Sequence, residues 1–202
     1  MATPSPDGRS ACTTSVSLLA RVQANDAEAW ARLVRLYGPV VYRWARDAGL
    51  QSSDAADVTQ DVFGSLTTHI GGFSRQRPED TFRGWLWTIT RNRIRDYYRA
   101  LQQPIRGAGG TAAHERLEQI PDRPPASDSE GGSRELTGVR RRLLELVRDE
   151  FDARTWTAFW RSAVEGDRPA DVAADLGVST WAVYKARSRV LQRLRSELDG
   201  LA

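Results

Sequence analysis

The sequence holds one cysteine, Cys12, and two histidines, His69 and His114. A single thiol excludes a disulfide framework and a cysteine-based zinc site, and it fits a reducing compartment, the cytoplasm. The histidines belong to no ligand motif, so neither a metal nor another cofactor is expected. No apolar run approaches the ~20 residues that span a bilayer, and membrane insertion is not expected. The opening MATPSPDGRSACTTS lacks the charged and apolar regions of a signal peptide, and residues 1–15 read as a disordered leader. Lysine is almost missing too: Lys185 is alone and every other basic residue is arginine, a bias that a GC-rich genome suffices to produce. The net charge of +3 is small for 202 residues. It excludes one continuous basic surface, so any contact with nucleic acid must come from local clusters.

Strand patterns are scarce as well, and the fold class is all-α. From Ser17 to about Ala48, Leu18, Leu19, Val22, Trp30, Leu33, Tyr37, Val41 and Trp44 recur at helical spacing. Asn25 or Asp26 caps a helix there, and Gly38-Pro39 is expected to bend or restart it. Ser52, Ser53 or Asp54 caps the next helix, whose inner face is Val58, Val62, Leu66 and Ile70, and Gly71-Gly72 ends it. Thr81 opens a further helix with Phe82, Trp85, Leu86 and Ile89 inward. Composition breaks over 102–134, where GAGG, PDRPP and SDSEGG predict a flexible linker. Helical periodicity returns at Glu135. The chain therefore divides into a small helical domain (16–101), the linker, and a second small helical domain (135–202). Trp156, Phe159 and Trp160 read as core of the second.

In AADLGVSTWAVYKARSR (173–189), Ala173 is the small residue where two helices nearly touch and Gly177 is the turn. Val172, Leu176, Val178, Val183 and Ala186 supply the aliphatic positions of a helix-turn-helix. Ser179 or Thr180 caps the second helix and offers a hydroxyl to phosphate. No acid lies between Ser179 and Arg195, so Lys185, Arg187, Arg189, Arg193 and Arg195 form a one-signed face. Base reading falls to its N-terminal part, Thr180, Trp181, Tyr184, Lys185 and Arg187 or Ser188. Trp181 serves equally well as a core residue.

The first domain carries two faces of opposite sign. Asp54, Asp57 and Asp61 with Gln60 present acids to a basic partner, or a plain solvated face, or the carboxylates of a nuclease, which here lack a companion nucleophile. From Arg83 to Arg99, five arginines (83, 91, 93, 95, 99) stand against Asp96 alone, among Phe82, Trp85, Trp87, Tyr97 and Tyr98. Arginines among aromatics suit single-stranded nucleic acid. Trp87 and Tyr98 lie off the apolar stripe and are expected to be less buried than Phe82, Trp85, Leu86 and Ile89.

DAADVTQDVF, then FRGWLWTITRNRIRDYYR, then a linker and the helix pair, resembles in that order the extracytoplasmic-function (ECF) class of bacterial RNA polymerase sigma factors. The resemblance implies two helical domains, regions two and four, and a non-enzymatic role: binding core polymerase, choosing a promoter and assisting its melting. It implies that the face with Asp54, Asp57, Gln60, Asp61 and Phe63 docks on the clamp helices of the largest polymerase subunit. It implies a pocket for a flipped base of the −10 element lined by Phe73, Ile89 and Asn92, flanked by Arg83, Trp85 and Trp87, with Arg91, Arg93, Arg95 and Arg99 on phosphates. The −35 element would be read by Ser179, Thr180, Trp181, Tyr184, Lys185, Arg187, Ser188 and Arg189. A separate regulator such as an anti-sigma factor is implied too. The alternative is a free-standing helix-turn-helix regulator, which has no need for RNRIRDYYR.

Overall fold

The structure, a computed structural model, describes residues 17–77, 80–102, 116, 118–126 and 129–199; the expected leader, Cys12 and His114 lie outside them. Regular structure among these residues is helical throughout. Helices α1 (Leu18–Gln23), α2 (Ala27–Asp47), α3 (Ser52–His69) and α4 (Phe82–Gln102) are followed by α5 (Glu130–Arg148), α6 (Ala153–Trp160), α7 (Pro169–Leu176) and α8 (Thr180–Leu198). A short 3-10 turn, Ile70–Gly72, follows α3, and a π-helical turn, Arg161–Glu165, follows α6.

Local chemistry explains most boundaries. Ser17, Asp26, Ser129, Asp152 and Ser179 each accept a backbone N–H from the first turn of the helix they precede. Asn25 reverses the chain between α1 and α2 at φ 60°, a conformation asparagine tolerates. The N–H of Ala29 and the Arg21 guanidinium hold the Asp26 carboxyl below the usual carboxylate range. Two expectations are corrected. Pro39 does not restart α2, which runs unbroken through it; the fixed φ of the ring is helical. The residue before α3 is Gln51, with no side-chain cap, rather than Ser52, Ser53 or Asp54, which are already inside the helix.

The main core joins α1 to α4 with α5. Leu18, Leu33, Leu36, Val41, Trp44, Val62, Leu66, Phe82, Leu86 and Ile94 are buried together with Val139, Leu143, Leu146 and Val147 of α5. The apolar stripe of α5 thus packs on α2, and the end of α8 (Leu194, Leu198) closes over the same core. A second, smaller core of Ala158, Val172, Ala173, Val183 and Ala186 holds α6, α7 and the first half of α8.

Among the described residues after α4, 130–134 belong to α5 rather than to the linker that composition predicts. Ser129 caps α5, and Gly131-Gly132 lie inside its first turn. A Cβ on Gly132 would stand 1.9 Å from the carbonyl oxygen of Ala126, so only glycine lets the incoming chain lie against the helix. Ile120 is buried in the main core beside Trp44 and Trp87. That cover corrects the expectation for α4: Trp87 and Tyr98 are 4% and 2% exposed. Trp87 meets Trp44 edge-on at 5.0 Å, and Tyr98 donates its hydroxyl to the Ala48 carbonyl at 2.7 Å.

Candidate nucleic-acid and polymerase interfaces

Helix α3 presents its acids along one side. Asp57, Gln60 and Asp61 are exposed, Phe63 is half-buried against the core, and Asp54 is half-buried because it is already engaged. The hydroxyl of Tyr97, on α4, donates to Asp54 Oδ2 at 2.6 Å. That bond, with burial, pushes the Tyr97 phenol up to about 12. Asp54 therefore ties α3 to α4, while Asp57 and Asp61 stay exposed. They border a groove of about 280 Å³ that Arg93, Asp96 and Tyr97 complete from α4. Among the described residues no cluster of acids, histidines and cysteines is built to hold a metal.

Helix α4 divides its arginines by side. Arg93 turns toward α3 and donates to Ser65 Oγ. Arg99 is exposed and pairs with Asp96 at 3.1 Å. On the other side, Arg83 grips Glu135 of α5 with two nitrogens, Nη2 standing 3.1 Å from Oε2, and donates to the Pro125 carbonyl at 2.8 Å. Glu135 also accepts from Trp44 Nε1 at 2.9 Å, and its side chain is 3% exposed. Arg91 pairs with Asp122, and Arg95 stands 3.9 Å from the same carboxylate. An acid in a helical period or a linker, such as Glu135 or Asp122, gives no local signal of such pairing.

Of the three residues assigned to a base pocket, Asn92 is exposed and Ile89 half-buried. Phe73 is 7% exposed, its ring lying 5.0 Å from Trp85 and 5.7 Å from Phe82. Its carbonyl accepts from Gln23 Nε2 at 2.9 Å, which pins the loop to α1. The Phe73 ring meets Phe82 edge-on and Trp85 at a tilt, so the three form one aromatic wall.

The helix pair at the far end of the chain has the geometry its sequence demands. Gly177 adopts φ +64° at the C-cap of α7, Ala173 is buried where α7 meets α8, and Val172 and Val183 are fully buried. Ser179 Oγ accepts from Ala182 N at 3.2 Å. The outward face of α8 is open: Trp181 is 68% exposed and Tyr184 55%, with Thr180, Lys185, Arg187, Ser188 and Arg189 all exposed. Trp181 is thus a surface residue, its ring 5.0 Å from the Lys185 ammonium. Of the three aromatics on α6, only Phe159 is core. Trp156 and Trp160 are half-buried, stack at 6.1 Å, and line a groove of about 540 Å³ with Arg141, Arg148 and Arg161.

Residues 33–103 match the family described as Sigma-70 region 2, which spans α2 to α4. Over 185 residues the chain is 29% identical to the RNA polymerase sigma factor CnrH of Cupriavidus metallidurans, covering 90% of this chain and 93% of that one. It is 33% identical over 97 residues to the ECF RNA polymerase sigma factor BldN of Streptomyces coelicolor, covering 48% and 35%. A solved structure of CnrH in complex with the cytosolic domain of CnrY is similar at 25% identity and a TM-score of 0.36, over 92% of this chain and 97% of that one. The chain, helical throughout its described regular structure, thus carries a Sigma-70 region 2 and over most of its length is similar to RNA polymerase sigma factors, among them factors of the ECF class.

Proposed function

We propose that three faces divide the work of initiation. The acids Asp57 and Asp61, with Gln60 and Phe63, meet basic clamp helices of core polymerase; Asp54 keeps α3 and α4 in register behind them. Arg91, Asn92, Arg93, Arg95 and Arg99 on α4 take the opened −10 strand, and Phe73, Trp85 and Ile89 take an unstacked base once the aromatic wall parts. Capturing that base offsets the few kcal/mol, in order of magnitude, that unpairing costs, so melting needs no bond chemistry and the protein is not an enzyme. Face α8 reads the −35 duplex. The observation that carries this reading is the open, one-signed surface of α8 from Thr180 to Arg189, presented by a tight glycine turn. CnrH has been solved with a separate partner, the cytosolic domain of CnrY; by likeness to CnrH, this chain too is held by a separate regulator of the anti-sigma kind, in the cytoplasm.

Run-off transcription with core polymerase on genomic promoter fragments tests the reading. The wild-type chain should start transcripts at discrete sites. Asp57→Arg with Asp61→Arg should weaken core binding at least tenfold, roughly 1.4 kcal/mol or more, because two exposed attractive charges become repulsive without a folding cost. Full core affinity in that variant would remove the docking assignment.

A further inference from the structure

Arg142 of α5 is an exception among the half-buried arginines. Every other one among the described residues stands within 4.0 Å of a carboxylate, as Arg32, Arg83 and Arg193 do. Arg142 instead donates its Nε to the Leu36 carbonyl of α2 at 3.2 Å. Its guanidinium folds back over Gly138, where a Cβ would stand 3.5 Å from Nη1 and 3.6 Å from Nη2. Burial holds the group below arginine's ordinary value; Glu145 offsets part of this, and repulsion from Arg43 adds to it. Arg43, exposed on α2, pairs with no acid among the described residues either. The two like charges line a cavity of about 70 Å³ at the junction of α2 and α5, with Arg134 beside them and Pro39 and Gly138 in the walls. Glu135 also lines it, but its carboxylate already accepts from Trp44 Nε1 and from Arg83.

Such a place offers donors only, in the planar fork geometry that matches an oxyanion. The volume exceeds the ~30 Å³ share of one water and falls far below the ~300 Å³ at which pockets for larger ligands begin, so it fits one compact group. We propose that Arg43 and Arg142, with Arg134 at the side, bind a phosphate group, either inorganic phosphate or the terminal phosphate of a free nucleotide. Arg43 belongs to α2 and Arg142 to α5, so the site is complete only while the apolar stripe of α5 lies on α2. The anion therefore acts as a staple, and its binding shifts the chain toward the conformation in which α5 is packed on region 2.

The test follows the thermal midpoint of the full chain in sodium phosphate against sodium chloride at matched ionic strength, which equalises screening. Saturating phosphate should raise the midpoint of wild type by about 2–4 °C. Arg43→Gln alters an exposed side chain, carries no folding risk, and should lose most of that gain. Phosphate also stabilises proteins generally, but both chains feel that effect alike, so equal gains in the two would overturn the site. In isothermal titration calorimetry Arg142→Lys, which keeps the charge and loses the fork, should bind phosphate about tenfold more weakly. Unchanged affinity there would remove Arg142 from the site; if that variant does not fold, Arg43→Gln decides alone. The same titration with ATP separates the sources: tighter binding than inorganic phosphate assigns a nucleotide, and weaker binding assigns the free ion. Displacement of phosphate by a short oligothymidylate would overturn both in favour of a nucleic-acid backbone. Amide hydrogen exchange in α5 should slow with phosphate in wild type and not in Arg43→Gln, and unchanged exchange in wild type would overturn the staple.

Discussion

Asn92 shows how much one side chain can decide. It is exposed on α4, one residue from Arg91 and one from Arg93, and its amide both donates and accepts, as a base edge requires. Replacing it by alanine leaves the buried neighbours Thr90 and Ile94 untouched, so stability should stay within about 0.5 kcal/mol of wild type. Promoter opening, followed by permanganate reactivity of unpaired thymines, should fall about tenfold or more, the worth of one good base-edge contact. Binding to upstream duplex should not change. Equal loss of both activities would place Asn92 outside the strand-reading surface. Its chemistry was legible in the sequence because the polarity of an amide is a local property. The state of Arg83, three residues before Leu86 on the same helix, was not: its partners are Glu135 and Pro125, more than forty residues away.

At the scale of elements, the helix pair α7–α8 and the start of α5 mark where reading by pattern works and where it stops. The turn at Gly177 follows from a single requirement, a left-handed residue, and a glycine four residues after a buried alanine advertises it. Open space surrounds Gly177 despite its φ of +64°. A substitution there is penalised by backbone conformation and not by collision. Gly177→Val should therefore cost about 1–2 kcal/mol in urea denaturation, and Gly177→Asn distinctly less, because asparagine tolerates the left-handed region. Equal costs would mean that an unseen clash, and not φ, sets the residue. Gly131 and Gly132 send the reverse signal: by composition they belong to a linker, yet they open α5. For Gly132 the reason is steric and remote from the helix period, the Ala126 carbonyl lying where a Cβ would be. For the same reason Trp87 and Tyr98 read as the outer side of α4, when Ile120 and Trp44 cover Trp87 and the Ala48 carbonyl holds Tyr98.

For the whole molecule, the question is what joins the region 2 helices to the end of α8. Arg32 of α2 reaches Glu150 at 2.6 Å and Glu197 at 3.2 Å, and Arg193 of α8 pairs with the same two acids. Burial would push the Glu150 carboxyl up, but hydrogen bonds from Arg193 and Arg32 outweigh it and hold the group below its ordinary value. A carboxyl lowered by folding contributes stability that is complete above its unfolded value of 4.5 and is lost as pH falls through the folded one. The side chain of Glu197 is 2% exposed, and its carboxylate is paired with Arg32 and Arg193. Glu197→Ala should strip a buried acid from two arginines and destabilise the chain by about 3–5 kcal/mol. Arg32→Met with Glu197→Leu should cost far less than the sum of the single changes, since an apolar pair of similar volume replaces a desolvated ionic one while Arg193 keeps Glu150. A double-mutant cycle in urea measures the difference. Additive losses would show that the four charges act separately and that α8 is held by Leu194 and Leu198 alone. Transcription by the holoenzyme should be the same for the double variant as for wild type, because neither Arg32 nor Glu197 belongs to the faces assigned to polymerase or promoter.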